Sequence, residues 1–448
     1  MEKTDILVIG GSAAGIVAAT TSKAFHKNKK VILVRKEEKV LVPCGIPYIF
    51  GSLDSSDQNV IPDAALSNAG VELKINEAVS LDKDKKICRF ADGEEIAFEK
   101  AVIATGSVPA VHAWLVGADL GNVFTVAKDK NYLDQFSKKL ADFKKIVVLG
   151  GGFIGIEVAD ELNKIGKDVT IVEMLPHVLS LAFDPELACE AQELLKARGI
   201  CVRSNSKVKE LSGAKQVEKV VLSDGETIDA DAVILATGYK PCVSLAAEAG
   251  LQINKMGFIE VNEYMHTSHK DIFAVGDCAE KHGFITRALK GTMLASAACA
   301  EARIAGMNLY KLSTLRSFSG NISIFCTCIG DTAFGAAGVT ETLANERGFN
   351  ICCGTFEGID KHPGTLPGTH KQVVKLIVDD ESGVILGGEV LGGCTTGELI
   401  NMIGLMIQNR MTVSSLLTFQ IGTQPLLTAP PTAYPLIKAA EAVVMQSC

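Results

Sequence analysis

Apolar and polar positions along this chain switch between two periods. Ile6-Leu7-Val8-Ile9 is an uninterrupted apolar run, the pattern of a strand buried on both faces. A glycine-rich turn follows, then a helical stretch over residues 15–25, then a second apolar strand at 31–34. This is a βαβ unit. The unit recurs as a strand at 146–149, a helix at 155–165 and a strand at 169–173. Each copy is followed by the same phrase after an apolar strand. Ala101-Val102-Ile103-Ala104-Thr105-Gly106 is matched by Ala232-Val233-Ile234-Leu235-Ala236-Thr237-Gly238. A further strand ends in Ala274-Val275-Gly276-Asp277, ahead of a helical stretch at 293–306. Beyond about residue 320 the pattern becomes alternating, as at 372–378, with a helix at 396–409, which predicts a separate α+β domain.

The turns carry the chemistry. The first reads Gly10-Gly11-Ser12-Ala13-Ala14-Gly15 and the second Gly150-Gly151-Gly152-Phe153-Ile154-Gly155. Glycine serves the tight turn, the close approach of backbone to a pyrophosphate, and helix–strand packing. The N–H groups of the following helix then face the phosphates. In the first copy Ser12 replaces the middle glycine; the second has all three. Two copies in one chain are far more specific than one. An acid at the end of the second strand binds ribose hydroxyls. Glu173 fills that place in the second unit, and its charge opposes a 2′-phosphate, favouring NADH over NADPH. In the first unit the region reads Arg35-Lys36-Glu37-Glu38, and Glu37 is the candidate by proximity. Asp277 reads either as a helix cap or as an acceptor for a ribityl hydroxyl of a flavin.

Composition narrows the partners. The chain has 448 residues and a formal charge of −8, which disfavours nucleic acid or an anionic membrane. No apolar run reaches the roughly 18–20 residues of a membrane span. The first strand begins within a few residues of Met1, so no signal peptide and a cytoplasmic location are expected. The 13 cysteines are odd in number and fall in apolar segments, so most are expected to be reduced core residues. None has partners at metal-site spacing. Cys44 differs from the rest. It lies in Val42-Pro43-Cys44-Gly45-Ile46-Pro47-Tyr48, just after the first unit. A thiol at the start of a helix or turn is expected to have a lowered pKa and to favour thiolate.

The order of these motifs resembles that of the flavoprotein pyridine nucleotide-disulfide oxidoreductases over essentially the whole chain. The resemblance implies an α/β fold: two Rossmann-like nucleotide-binding domains, for FAD and NAD, plus a C-terminal α+β dimerisation domain. It implies an FAD domain at 1–115 and 244–320, an NAD(H) domain at 116–243 and a dimerisation domain at 321–448. The cofactors implied are FAD and NADH, held at Gly10, Ser12, Ala13, Gly15, Glu37, Thr105, Gly106 and Asp277 for the first. For the second they are held at Gly152, Phe153, Ile154, Gly155, Glu157, Glu173 and Gly238. Phe153 reads either as a mobile ring over the nicotinamide or as a packing residue.

Many members of the family carry Cys-x-x-x-x-Cys. Here the residue five after Cys44 is Ile49. The chain is therefore similar to the single-cysteine branch: coenzyme A-disulfide reductases, NADH-dependent persulfide reductases, NADH oxidases and peroxidases. Oxidases and peroxidases of that branch place a histidine where this chain has Ala13, so a disulfide, persulfide or polysulfide substrate is favoured over peroxide chemistry. The alternatives are an NADH oxidase or peroxidase using a cysteine sulfenate, and a non-turnover flavin redox sensor or electron-transfer subunit. Lys23, with Lys27 nearby, matches a basic position that holds coenzyme A phosphate. Tyr48 is expected to be a further substrate contact. Tyrosines supplied by the partner subunit in coenzyme A-disulfide reductases are missing here. His362, Gln424 or Tyr434 stand in the regions that would replace them in a homodimer.

Overall fold

The computed structural model describes residues 1–446. Its first sheet grows around β1 (Glu2–Ile9), which pairs in parallel with β2 (Val31–Arg35) on one side and with Glu95–Ile103 on the other. Ile6, Leu7 and Val8 are wholly buried, which is why the sequence shows no polar alternation there. Each such side chain contributes roughly 1.5–3 kcal/mol through burial. Between them runs α1 (Ala13–Phe25). Its buried face is made of Gly15, Ala18, Ala19 and Ser22. Small residues let the helix Ala295–Asn308 pack closely against it. A Cβ on Gly306 would come within 2.9 Å of Thr21 Cβ and 3.0 Å of the Ser22 nitrogen. The strand Ile272–Ala274 joins this sheet beside Glu95–Ile103. The sheet is thus completed by a segment some 170 residues downstream, with the second unit in between.

That second unit is a five-stranded parallel sheet in the order Cys201–Arg203, Asp168–Val172, Lys145–Leu149, Ala232–Leu235, Val123–Thr125. The helix Phe153–Lys164 follows its fingerprint. The C-terminal sheet is antiparallel, in the order Phe325–Ile329, Thr332–Gly338, Ile385–Gly392, Lys371–Asp379, Ile351–Ile359. Leu399, Ile400 and Ile403 of the helix Thr396–Gln408 form a core with this sheet, together with Leu436 and Ala439. Ile329, Phe334 and Leu391 belong instead to one core with Ile156, Ala188 and Phe183 of the second unit. A buried charge cluster crosses the same junction. Asp184 lies 3.0 Å from Lys375 Nζ, and its backbone N–H donates to Glu389 at 2.6 Å.

The expectation for the cysteines needs correction. All 12 described cysteines are free thiols, but only Cys88 and Cys278 are buried; six are exposed. Cys326 and Cys328 illustrate why. They alternate with buried Thr327 on an edge strand, so both point off the core face. Cys448 lies outside the described residues.

Candidate active site

The two fingerprints fold into equivalent turns. Gly10 and Gly150 have φ of +115° and +104°, and their N–H groups donate to equivalent carbonyls near the end of the neighbouring strand, those of Val34 and Val172. A Cβ on Gly15 would lie 1.8 Å from Gly10 O, and one on Gly155 1.9 Å from Gly150 O. The glycines are therefore needed for strand–helix packing. Gly152, by contrast, faces open space, and neither Ser12 nor Gly152 caps its helix with a side chain. Uncapped N–H groups beside an open cradle suit a dinucleotide pyrophosphate at both turns. Ala13 and Ile154 lie in the first turns of these helices.

Register shows what replaces the missing acid. Arg35 follows Val34 as Glu173 follows Val172. Glu173 accepts from the Gly151 and Leu175 N–H groups at 2.6 and 2.8 Å. Arg35 instead donates to the backbone oxygens of Glu37 and Glu38.

Asp277 sits in a short 3₁₀ turn, Gly276–Cys278, at the carboxyl end of the first sheet. Its Oδ2 accepts from Ser107 Oγ at 2.7 Å and from Lys128 Nζ at 2.8 Å. Burial opposes ionisation here, but Lys128 and Ser107 outweigh it and hold the carboxyl below its usual range. Lys128 also lies 5.1 Å over the Tyr239 ring. Under the turn, Lys281 and Glu301 form a fully buried pair, with Nζ 3.2 Å from Oε1. Lys281 donates to Gly276 O at 2.5 Å, and Glu301 accepts from Gly276 N–H at 2.8 Å. Both peptide groups flanking this positive-φ glycine are held from below. Thr105 Oγ1 donates to Cys242 O at 2.6 Å, fixing the first Ala-Thr-Gly turn; Gly106 and Gly238 both take positive φ. Sequence reasoning missed Lys128, Lys281, Glu301 and Thr327.

Cys44 occupies a three-residue 3₁₀ turn, Pro43–Gly45, followed directly by another, Pro47–Phe50, which carries Tyr48. The expected helix-dipole effect is absent, because a three-residue turn has no aligned stack of peptides. Cys44 is accessible in the single chain, yet burial pushes its thiol up, Glu157 and Asp277 add to this, and Lys128 opposes them. Burial, helped by Glu157, also pushes the Tyr48 phenol up. Glu157 accepts from Thr327 Oγ1 at 2.8 Å, tying the second helix to the C-terminal sheet. Phe153, the first residue of that helix, stacks on Phe325 with centroids 5.1 Å apart and meets Phe183 edge-on at 6.2 Å.

Burial pushes Glu157 up to about 7, with Thr327 acting in the opposite sense. Native Glu157 therefore keeps its proton across a range where the unfolded carboxyl, near 4.5, has lost it. The native state binds more protons there, so stability falls as pH rises through that window. Glu157→Gln should flatten this fall, read from urea unfolding at several pH values between 4.5 and 7. An unchanged slope would contradict the raised pKa.

The other substrate candidates lie apart. Lys23 Nζ donates to the backbone oxygens of Lys27 and Lys29 at 3.0 and 2.8 Å, closing the carboxyl end of α1. In this arrangement it satisfies two backbone carbonyls. The loops carrying His362 and Gln424 are brought together: His362 Nδ1 meets Thr428 O at 2.9 Å, and the His362 backbone N–H donates to Pro425 O. Gln424 folds its own loop, its Oε1 accepting from Leu426 N–H at 2.8 Å.

The chain belongs to the pyridine nucleotide-disulphide oxidoreductases. The family model of that description matches residues 4–302, and the model for its dimerisation domain matches residues 324–434. The family uses FAD and NAD(P)H, and the dimerisation domain supports a homodimer. The chain is 31% identical to an NADH oxidase of Methanocaldococcus jannaschii, over 94% of each chain. It is 32% identical to an NAD(P)H coenzyme A polysulfide/persulfide reductase of Pyrococcus horikoshii, over 87% of this chain and 88% of that one. The solved NAD-dependent persulfide reductase from A. fulgidus superposes with a TM-score of 0.90 at 27% identity, covering 99% of this chain and 83% of that one. Among the described residues, no helix is long and apolar enough to cross a membrane.

Proposed function

We propose that this protein is a cytoplasmic homodimeric enzyme that uses NADH to reduce a disulfide, persulfide or polysulfide, coenzyme A-linked, through Cys44. The observation that carries the reading is a single accessible thiol on the segment that links the two nucleotide units in sequence, within the electrostatic reach of Glu157, Lys128 and Asp277. The persulfide reductases among the relatives support the substrate class.

The first fingerprint, with Thr105, Gly106 and Asp277, would hold FAD, and the second, with Glu173, would hold NADH. When bound, FAD relays an electron pair from NADH to sulfur. The protein's own work is positioning and sulfur exchange. The Cys44 thiolate attacks the sulfur of a persulfide RSSH that bears R, forming Cys44–S–S–R and releasing HS⁻. Two electrons then cleave the mixed disulfide to Cys44 thiolate and RS⁻. The sum is RSSH, NADH and a proton giving RSH, H₂S and NAD⁺. Lys128 stabilises the thiolate against Glu157. Loops carrying His362 and Gln424 would reach the partner's site across the dimer.

A second reading is an NADH oxidase, favoured by the M. jannaschii relative. Ala13 weighs against it, since it offers no imidazole for peroxide chemistry. Comparing NADH-driven oxygen consumption with release of sulfide from coenzyme A persulfide separates the two. Faster turnover with oxygen than with every sulfur substrate would overturn the first.

Nicotinamide choice gives a further expectation. Glu173→Ala should weaken NADH about ten- to a hundredfold while affecting NADPH less, because lost charge-assisted hydrogen bonds are worth about 1.5–3 kcal/mol. Initial rates against each donor measure this; equal losses would contradict the ribose role.

A further inference from the structure

We propose that Asp63, clamped by Arg35, is the carboxylate that receives the ribose hydroxyls of the adenosine half of FAD at the first fingerprint. The inference rests on the assignment of FAD to that unit. Arg35 occupies the position held by Glu173 in the second unit, and an arginine cannot accept a hydroxyl hydrogen bond. The acid has been displaced rather than lost. The Arg35 stem crosses Gly11 so closely that a Cβ there would lie 2.4 Å from Arg35 Cδ. Glu173 crosses Gly151 in the same way, with Oε2 3.1 Å from a Cβ there.

Beyond Gly11 the guanidinium closes on Asp63 as a fork, Nη1 to Oδ1 at 2.7 Å and Nη2 to Oδ2 at 3.0 Å. Its Nε and Nη2 also donate to Glu37 O at 2.8 Å and Glu38 O at 2.7 Å. The arginine side chain is 1% exposed and that of Asp63 is 47% exposed. The cation is thus buried and fixed, while the carboxylate it holds remains open at the carboxyl end of β2. Nucleotides bind at that end of a parallel sheet. Asp63 directly precedes the short helix Ala64–Ala69 but makes no side-chain bond to it, so its carboxylate is not spent on capping. Each oxygen takes one arginine N–H and has a lone pair left for a ribose hydroxyl. Glu37, nearer in sequence, has its backbone tied to Arg35 and lacks this clamp.

The test compares Asp63→Asn and Glu37→Gln in the full-length protein. On dilution of the holoprotein, D63N should release FAD about ten- to a hundredfold more readily, the range for lost hydrogen bonds to a charged group. Flavin fluorescence follows the release. Stripped of FAD, the same full chain should take up FMN as well as the unchanged protein does, because FMN lacks the adenosine. E37Q should retain FAD normally. The proposal is overturned if D63N holds FAD unchanged, if it loses FMN as well as FAD, or if E37Q is the variant that releases FAD. An unchanged protein that takes up no FAD would instead remove the cofactor assignment on which the proposal stands.

Discussion

Cys44→Ser should leave NADH able to reduce the flavin while turnover with coenzyme A persulfide, coenzyme A disulfide or polysulfide falls by orders of magnitude. Serine keeps the size of the side chain but is a poor nucleophile at its free pKa. Cys44 makes none of the described side-chain hydrogen bonds, and its residue is accessible, so the substitution removes chemistry and little packing. Anaerobic stopped-flow separates the two half-reactions. The first, reduction of flavin by NADH, depends on the nucleotide units and should persist. The second depends on the thiol and should stop. Long-wavelength absorbance from a thiolate beside the flavin should vanish with it. Full disulfide and persulfide turnover in the serine variant would make Cys44 structural.

The second large effect is expected under the Gly276-Asp277 turn. Lys281 and Glu301 are both wholly buried, and each bonds the peptide groups of Gly276. Burial pushes the Glu301 carboxyl up, and Lys281 pulls it back. Lys281→Met should cost about 3–5 kcal/mol, because it leaves an uncompensated buried acid. The turn should loosen with it, so the variant should also lose FAD during purification. Changing both partners, Lys281→Met with Glu301→Gln, should recover part of the stability, since no unpaired charge remains. Thermal unfolding and the flavin content of the three proteins measure this. A single Lys281→Met variant as stable and as yellow as the parent would show that the pair does not support the turn.

The sequence was most informative where a feature depends on neighbours in the chain. The buried parallel strands, the two glycine turns and the helices after them are local patterns, and the structure has them within two residues of the expected limits, except that the first strand starts four residues earlier, at Glu2. The change to a separate α+β domain after residue 320 was equally visible, and its sheet is antiparallel. What sequence could not show was which side chains meet across long separations. Lys128 finds Asp277 149 residues away, and Thr327 finds Glu157 across 170. Neither lysine nor threonine stands out in a linear reading. Lys281 and Glu301 stand 20 residues apart, and nothing in the linear sequence pairs them, yet both are buried. The displaced acid of the first unit had one local clue, an arginine where a carboxylate belongs, but its partner lies 28 residues on. The thiol of Cys44 shows the opposite error. A proline before it and a glycine after it suggested the start of a helix or turn with a useful dipole, whereas Pro43 and Pro47 each open a short turn too brief to carry one.

The central claim is that substrate sulfur bonds to Cys44 and is released by electrons from NADH. Intact-protein and peptide mass spectrometry after anaerobic incubation with coenzyme A disulfide tests it most directly. A coenzyme A adduct should appear on the Cys44 peptide and disappear when NADH is added. An adduct confined to other exposed thiols such as Cys326 or Cys328, or one on Cys44 that NADH cannot remove, would contradict the account.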